Sequence, residues 1–371
     1  MEVVSLQSDA PVDAPVLFLT FNRPEQTAKV WEAIRCVKPR RLWISQDGPR
    51  EDRPEDADAC RAVREILEEV DWPCEVRRLY REENLGCGKA VSEALGWFLE
   101  EAGEGIILED DIVPSPVFFR YCEALLERFR DDKSIGSIGG YSALPLKLQK
   151  ALSRGEEGRP LINLYRGNGF SPWGWATWRD RLEGYALEPS QSRLEAWEEM
   201  VEARSGFPLR DFLTKRILKA LRDGAADTWD YQLSFHFEEN ERFMISPMNN
   251  LVQNIGFGEG ATHTKESSGS AGLMIHEIDQ IGLPESIPPE PEIDQIAYAI
   301  GALNRSELES VTEEIRMLRE TCEDRLERIA RLSKKLAKSG RSRPRSKLRK
   351  FLDRTRKRLL RVLARVSDRS R

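Results

Sequence analysis

The sequence predicts an α/β fold with a mostly parallel sheet flanked by helices, and three observations carry that expectation. Short β-branched runs alternate with amphipathic stretches, giving β-α-β-α-β-α-β by Asp111, an order that calls for parallel strands joined by helical crossovers. The strand runs Val16 to Phe21, Leu42 to Ser45 and Ile106 to Leu108 are short, apolar and bounded by turn residues, so they read as buried strands. Polar residues then gather just beyond three of these strands, at Asn22 and Arg23, at Gln46 and Asp47, and at Glu109 to Asp111. In open α/β sheets the carboxyl ends of the strands face the ligand crevice.

Each element follows in order. Asn22-Arg23-Pro24 supplies a cap, a charge and a first helical residue, and Val30, Trp31 and Ile34 recur at helical spacing after it. A helix is expected from roughly Ala57 to Val70 and a strand from Val76 to Tyr80. Asn84-Leu85-Gly86-Cys87-Gly88-Lys89 opens a helix whose apolar face holds Val91, Leu95, Phe98 and Leu99. Ser115-Pro116 caps the next one, with Phe119, Cys122, Leu126 and Phe129 inside. Further strands are expected at Ile135 to Gly140 and Leu161 to Tyr165, separated by a polar loop from Lys147 to Arg159. Helices are expected over Leu194 to Ala203 and Leu209 to Arg222.

Composition narrows the setting. The net charge of -6 divides into -21 over the first 332 residues and +15 over Ser333 to Arg371, an acidic body with a basic tail. The six cysteines are scattered without a CxxC pair, which suits free thiols in a reducing compartment. No apolar run approaches the roughly 20 residues of a membrane span, and the polar, acidic first fifteen residues do not resemble a secretion signal. The expected location is cytoplasmic, with a peripheral position at the inner face of the membrane open to the tail.

Three adjacent carboxylates repel one another and depend on a partner. The usual one is a hard divalent cation that also carries substrate phosphates; the alternative is an acidic surface turn. Converging strand ends with a carboxylate for base or ribose and a cation bridge for a diphosphate are what nucleotide binding at a switch point requires. Asp230 follows Trp229 and, read from the residues alone, is a helix-cap candidate. Ser171 to Trp178 is tryptophan-dense, and the residues before Trp175 read as a pocket-lining loop, with Trp173 and Trp175 candidates to stack on sugar faces or else to pack in the core. His263, in the glycine-rich stretch Asn254 to Thr264, is a candidate second metal ligand or diphosphate contact at the same pocket, against the reading of a hydrogen-bonded structural histidine. Lys89, near a helix start, is a candidate phosphate contact or a solvated lysine.

Asn22-Arg23, Ser45-Gln46-Asp47, Leu108 to Asp111 followed by Ser115-Pro116-Val117-Phe118-Phe119, and Trp229-Asp230 with Ser246-Pro247 occur in an order that resembles the N-acetylglucosaminyltransferase I family. It also resembles bacterial nucleotide-diphospho-sugar transferases of the same GT-A fold, over roughly Pro15 to Thr264. The resemblance implies a metal-dependent, inverting glycosyltransferase with a UDP-sugar donor. On that resemblance Arg23 and Asp47 hold the nucleotide, Glu109 and Asp110 touch sugar and ribose, and Asp111 ligates Mn²⁺ or Mg²⁺. Asp230 takes the base position. Gly174 to Trp178 follows the family's acceptor-side segment only loosely, so the acceptor does not transfer; a glycan, lipid-linked or surface-destined acceptor is the expectation.

Pro284 to Pro291 holds four prolines and reads as a linker, giving a transferase domain over 1–283 and a linker over 284–304. Leu308, Val311, Ile315, Leu318, Cys322, Ile329, Leu332 and Leu336 fall at 3-4 spacing, so 305–339 is expected to form a coiled coil and a homodimer. In 340–371 Leu348, Leu352, Leu359, Leu363 and Val366 form an apolar stripe amid Arg and Lys. Such a tail suits anionic lipid headgroups, and it would also attract nucleic acid or an acidic protein. Two rival functions remain open. A sugar-nucleotide pyrophosphorylase shares the sheet but calls for a glycine-rich basic loop where this chain has Asn22-Arg23-Pro24. A non-catalytic adaptor would act through the coiled coil and tail.

Overall fold

The computed structural model describes residues 2–142, 144, 149, 161–167, 169–203, 208–224, 227–256, 278 and 280–287. His263, the linker from 288 to 304, the coiled-coil segment 305–339 and the basic segment 340–371 lie outside the described residues, as does nearly all of the Lys147 to Arg159 loop. Contacts group residues 1–302 into one unit, and every described residue belongs to it.

The first half of the unit alternates as the sequence predicts. A strand, β1 (Glu2–Ser5), precedes β2 (Val16–Thr20), α1 (Pro24–Val37), β3 (Arg41–Gln46), α2 (Glu55–Glu68), β4 (Glu75–Tyr80), α3 (Cys87–Ala102) and β5 (Glu104–Glu109). Then come β6 (Ile112–Pro114), α4 (Pro116–Arg128), β7 (Ile135–Gly139), β8 (Leu164–Gly167) and β9 (Trp175–Trp178). The described elements close with α5 (Gln191–Ala203), α6 (Pro208–Arg222), α7 (Asp230–Glu239), β10 (Phe243–Pro247), β11 (Val252–Asn254) and β12 (Gln280–Leu283).

Eight strands form the central sheet in the order β4-β3-β2-β5-β9-β7-β10-β8. The pairs β4/β3, β3/β2, β2/β5 and β7/β10 are parallel, while β5/β9, β9/β7 and β10/β8 are antiparallel. The sheet is therefore mostly parallel, with an antiparallel insertion at its centre. Two ribbons sit apart from it, β1 with β12 and β6 with β11.

Both faces of the inner strands β2, β3 and β5 are covered, which is why they carry no polar alternation. Val16 and Phe18 of β2, Leu42 and Ile44 of β3, and Ile106 and Leu108 of β5 pack with Val30, Trp31 and Ile34 of α1 and with Phe119 and Leu125 of α4. The intervening Leu17, Leu19, Trp43 and Ile107 face the other way, onto Leu95, Phe98 and Leu99 of α3 and Leu233 and Phe237 of α7. The period of two sends alternate residues of each strand to opposite layers. A smaller cluster joins Leu194 and Trp197 of α5 to Leu218 of α6 and Phe235 of α7. Ile287, inside the stretch read as linker, packs into the larger cluster.

Two expectations change here. Trp175 to Trp178 is a fully buried strand, β9, so Trp175, read as a pocket residue, is inside the fold, while Ser171 to Gly174 before it is irregular as expected. The N-terminal residues also form a strand that the polar composition did not announce, because its partner β12 lies nearly 280 positions away in the chain. Among the described residues no helix is long and apolar enough to cross a membrane, and Cys36, Cys60, Cys74, Cys87 and Cys122 are free thiols.

Candidate active site

The parallel strands end together. Leu19 of β2 is level with Glu109 of β5, and Thr20 with Gln46 of β3. The strand order runs outward from β2 in both directions, through β3 on one side and β5 on the other. A crevice opens at such a switch point, beyond the carboxyl ends. A cavity of about 630 Å³ occupies it, lined by Phe21, Arg23, Asp47, Glu109, Asp110, Asp111, Trp173 and Asp230, among others.

Arg23 stands immediately before Pro24, which opens α1, so its backbone is fixed while its long side chain reaches across to the end of β5. Its Nη1 donates to Asp111 Oδ2 at 2.9 Å and lies 3.6 Å from Asp110 Oδ1. Asp110 Oδ2 also accepts the Phe21 amide at 3.2 Å. The Asp111 main chain is anchored by the Ile255 amide, which donates to its carbonyl at 2.8 Å. Gly256 lies so close that a Cβ there would meet Asp111 Oδ2 at 1.9 Å. A residue without a side chain is required at that point.

Burial raises all three acidic groups, and repulsion from neighbouring carboxylates adds to the rise of Glu109 and Asp110. Glu109 is held well above the usual carboxylate range by desolvation and then by the charges of Asp111, Asp230 and Asp110. Desolvation, with Asp111 beside it, lifts Asp110 to about 7. Asp111 is raised by burial against the opposing pull of Arg23. A carboxyl raised in the fold favours the native state most at low pH and loses that contribution as pH climbs through its folded value. Buried His236, held low by desolvation, acts only below the ordinary histidine value of about 6.5. The melting temperature of the ligand-free protein should therefore fall between pH 6.5 and 8. Calorimetry on Asp110→Asn should show a flatter curve over that window, and an identical slope would refute the assignment.

Asp47 closes another wall. Its carboxylate accepts the Leu85 amide at 3.0 Å, Asn84 Nδ2 at 2.9 Å and the Gly48 amide at 3.0 Å. Burial raises its pKa, and the Leu85 and Gly48 amides oppose the rise. Asp47 thereby ties the loop before α3 to the end of β3. Gly48 is needed at the same junction, since a Cβ would meet the Glu83 backbone at 2.4 Å. Asp230 is the first residue of α7, and Trp229 holds the capping position, so the cap reading of Asp230 does not apply. Its Oδ1 accepts the Thr228 hydroxyl.

The structure thus brings Arg23, Asp47, Glu109, Asp110, Asp111, Asp230 and Trp173 to one cavity. Two candidates are corrected. Trp175 is 0% exposed, stacked on Trp229 at 5.8 Å and edge-on to Phe170 at 5.0 Å, so it is core and does not reach a bound sugar. Lys89 is absent from the cavity wall; its Nζ lies 4.0 Å from Glu93 in a separate depression along α3, because helical rotation carries it away from the Gly86 end.

Sequence reasoning missed several cavity residues. Arg50 is tied to Asp56 and lies 5.2 Å over the Phe21 ring, and Arg81 donates to Ser45 Oγ at 3.1 Å. Asp227 receives the Gly88 amide at 2.9 Å and the Cys87 amide at 3.2 Å, at the start of α3. The only early signal was position: Arg50 and Arg81 follow strand ends, as Arg23 does.

No family model matches the sequence, and no curated protein matches it. Among solved structures, HddC from Yersinia pseudotuberculosis is similar at 9% identity and a TM-score of 0.27, over 46% of this chain and 80% of that one. A UDP-glucose pyrophosphorylase crystallised with UDP-glucose is similar at 10% identity and a TM-score of 0.30, over 63% of this chain and 90% of that one. Likenesses this distant leave the chemistry of the cavity to its own residues.

Proposed function

We propose that the chain is a metal-dependent, inverting glycosyltransferase that moves a sugar from a nucleoside diphosphate donor, UDP-sugar first, to an acceptor hydroxyl. The observation that carries this reading is the shared cavity: an acidic cluster at the end of β5 and, close enough to raise Glu109, the carboxylate of Asp230 at the start of α7. Single displacement needs this division of labour between a group serving the departing diphosphate and a base for the incoming hydroxyl.

The residues present fit a divalent cation in one particular way. Among the described residues no group of three or more His, Cys, Asp or Glu side chains gathers as a metal cage. Mg²⁺ and similar hard ions are commonly held by one or two carboxylates together with substrate phosphates, and Asp111 supplies such a carboxylate. Bound there, Mn²⁺ or Mg²⁺ would neutralise charge on the leaving diphosphate. Asp47, with the loop it pins, is assigned to the nucleoside end. Glu109 and Asp110 are assigned to ribose and sugar hydroxyls, and the half-buried Trp173 to the face of the sugar or acceptor. Asp230 accepts the proton from the acceptor hydroxyl.

The test couples binding to turnover. UDP-sugars should bind in the presence of Mn²⁺ and poorly without it, and a panel of nucleotide sugars should reveal one that is slowly hydrolysed. Asp230→Asn should bind UDP and Mn²⁺ as the native chain does while losing roughly 10²- to 10⁴-fold in turnover, the usual worth of a general base. Hydrolysis or transfer at the native rate in that variant would remove Asp230 from the chemistry.

A further inference from the structure

Arg23 takes the place of a cation among the carboxylates. Its guanidinium is bonded to Asp111 Oδ2 at 2.9 Å with side-chain exposures of only 20% and 18%, so the pair is partly shielded from solvent. Asp111 has little room to retreat. The Gly256 backbone lies against the same Oδ2, and the Ile255 amide holds the adjoining carbonyl. A divalent ion approaching that oxygen meets a positive charge already seated there, and like charges so close repel strongly in a partly buried site. Arg23 lines the cavity, so the side chain has open space to swing into. A phosphate is the natural new partner for a guanidinium displaced from a carboxylate.

We infer that Arg23 is an internal counter-cation that keeps Asp111 closed to a divalent ion until a nucleoside diphosphate arrives to take the guanidinium, so that metal and donor bind as one unit. This rests on the glycosyltransferase reading of the cavity. By linkage, whatever factor the diphosphate adds to metal affinity, the metal adds to diphosphate affinity. Removal of the arginine should therefore strengthen metal binding alone and shrink the mutual gain.

The measurement is Mn²⁺ binding, followed by loss of the free-ion electron paramagnetic resonance signal, with and without UDP. The native protein should bind Mn²⁺ weakly alone and more tightly with UDP. Arg23→Gln should bind Mn²⁺ alone roughly 10- to 100-fold more tightly than the native chain, within the usual range of coupling between sites, and UDP should improve that affinity less. Arg23→Met, which keeps the apolar stem, provides the same comparison if the glutamine variant does not fold. Equal Mn²⁺ affinity for native and variant chains without UDP, alongside clear native binding of Mn²⁺ with UDP, overturns the counter-cation and leaves the enzyme reading standing. Absence of Mn²⁺ binding to the native protein even with UDP overturns both.

Discussion

Asp111→Asn should abolish Mn²⁺-dependent release of UDP from a UDP-sugar while leaving the fold intact. The substitution is isosteric, so the close approach of Gly256 is unchanged and no new contact forms. What is lost is one negative oxygen, the one nearest Arg23. An amide is a poor ligand for a hard cation compared with a carboxylate. Removing a preorganised group that stabilises transition-state charge typically costs on the order of 10²- to 10³-fold in turnover, and losing the cation should cost at least that. Stability should hold or rise, because burial disfavours the ionised Asp111 and its charge raises both Glu109 and Asp110, a repulsion the amide removes. Steady-state UDP release and a thermal melt on the same sample decide the matter. Native turnover with Mn²⁺ in this variant would end the metal assignment.

Much of this cavity is readable from the sequence because its residues follow strands directly. Arg23, Asp47 and Glu109 to Asp111 each sit within three residues of a parallel strand's end, and the parallel register then brings those ends together. Local pattern suffices for that step. It fails where an antiparallel strand enters from far along the chain. Nothing near Trp175 announces that β9 will pair between β5 and β7, so a tryptophan-dense stretch looks like a sugar platform when two of its rings, Trp175 and Trp178, are core. Helical rotation hides a second fact: Lys89 is only three residues from Gly86, yet it faces a different depression. Asp227 is invisible for the same reason as β9, since its partners Cys87 and Gly88 are about 140 residues earlier.

Arg181 is the clearest case of a residue whose role only packing reveals, and its replacement should have the largest effect on stability. In Trp178-Arg179-Asp180-Arg181 it reads as one more surface charge, yet its side chain is 0% exposed. The guanidinium donates from Nε to the Ile135 carbonyl at 2.9 Å and from Nη2 to those of Arg130 at 2.8 Å and Asp132 at 3.2 Å. It lies 4.5 Å over the Trp178 ring and pairs with Asp180. One planar fork thus stitches the turn between α4 and β7 to the end of β9. Arg181→Met fills a similar volume but leaves those carbonyls buried without a donor. Breaking a buried charged network of this kind costs about 3–5 kcal/mol, a large share of the roughly 5–15 kcal/mol that holds a typical domain together. Urea unfolding should show a lower midpoint with an unchanged slope. Arg181→Lys should recover only part of the loss, since an ammonium has no fork geometry. A midpoint shift worth under about 1 kcal/mol, the scale of an exposed ion pair, would show that the network contributes little. Arg181 does not line the cavity, so UDP binding by the folded fraction should be unaltered, which separates this fault in the scaffold from any fault in the chemistry.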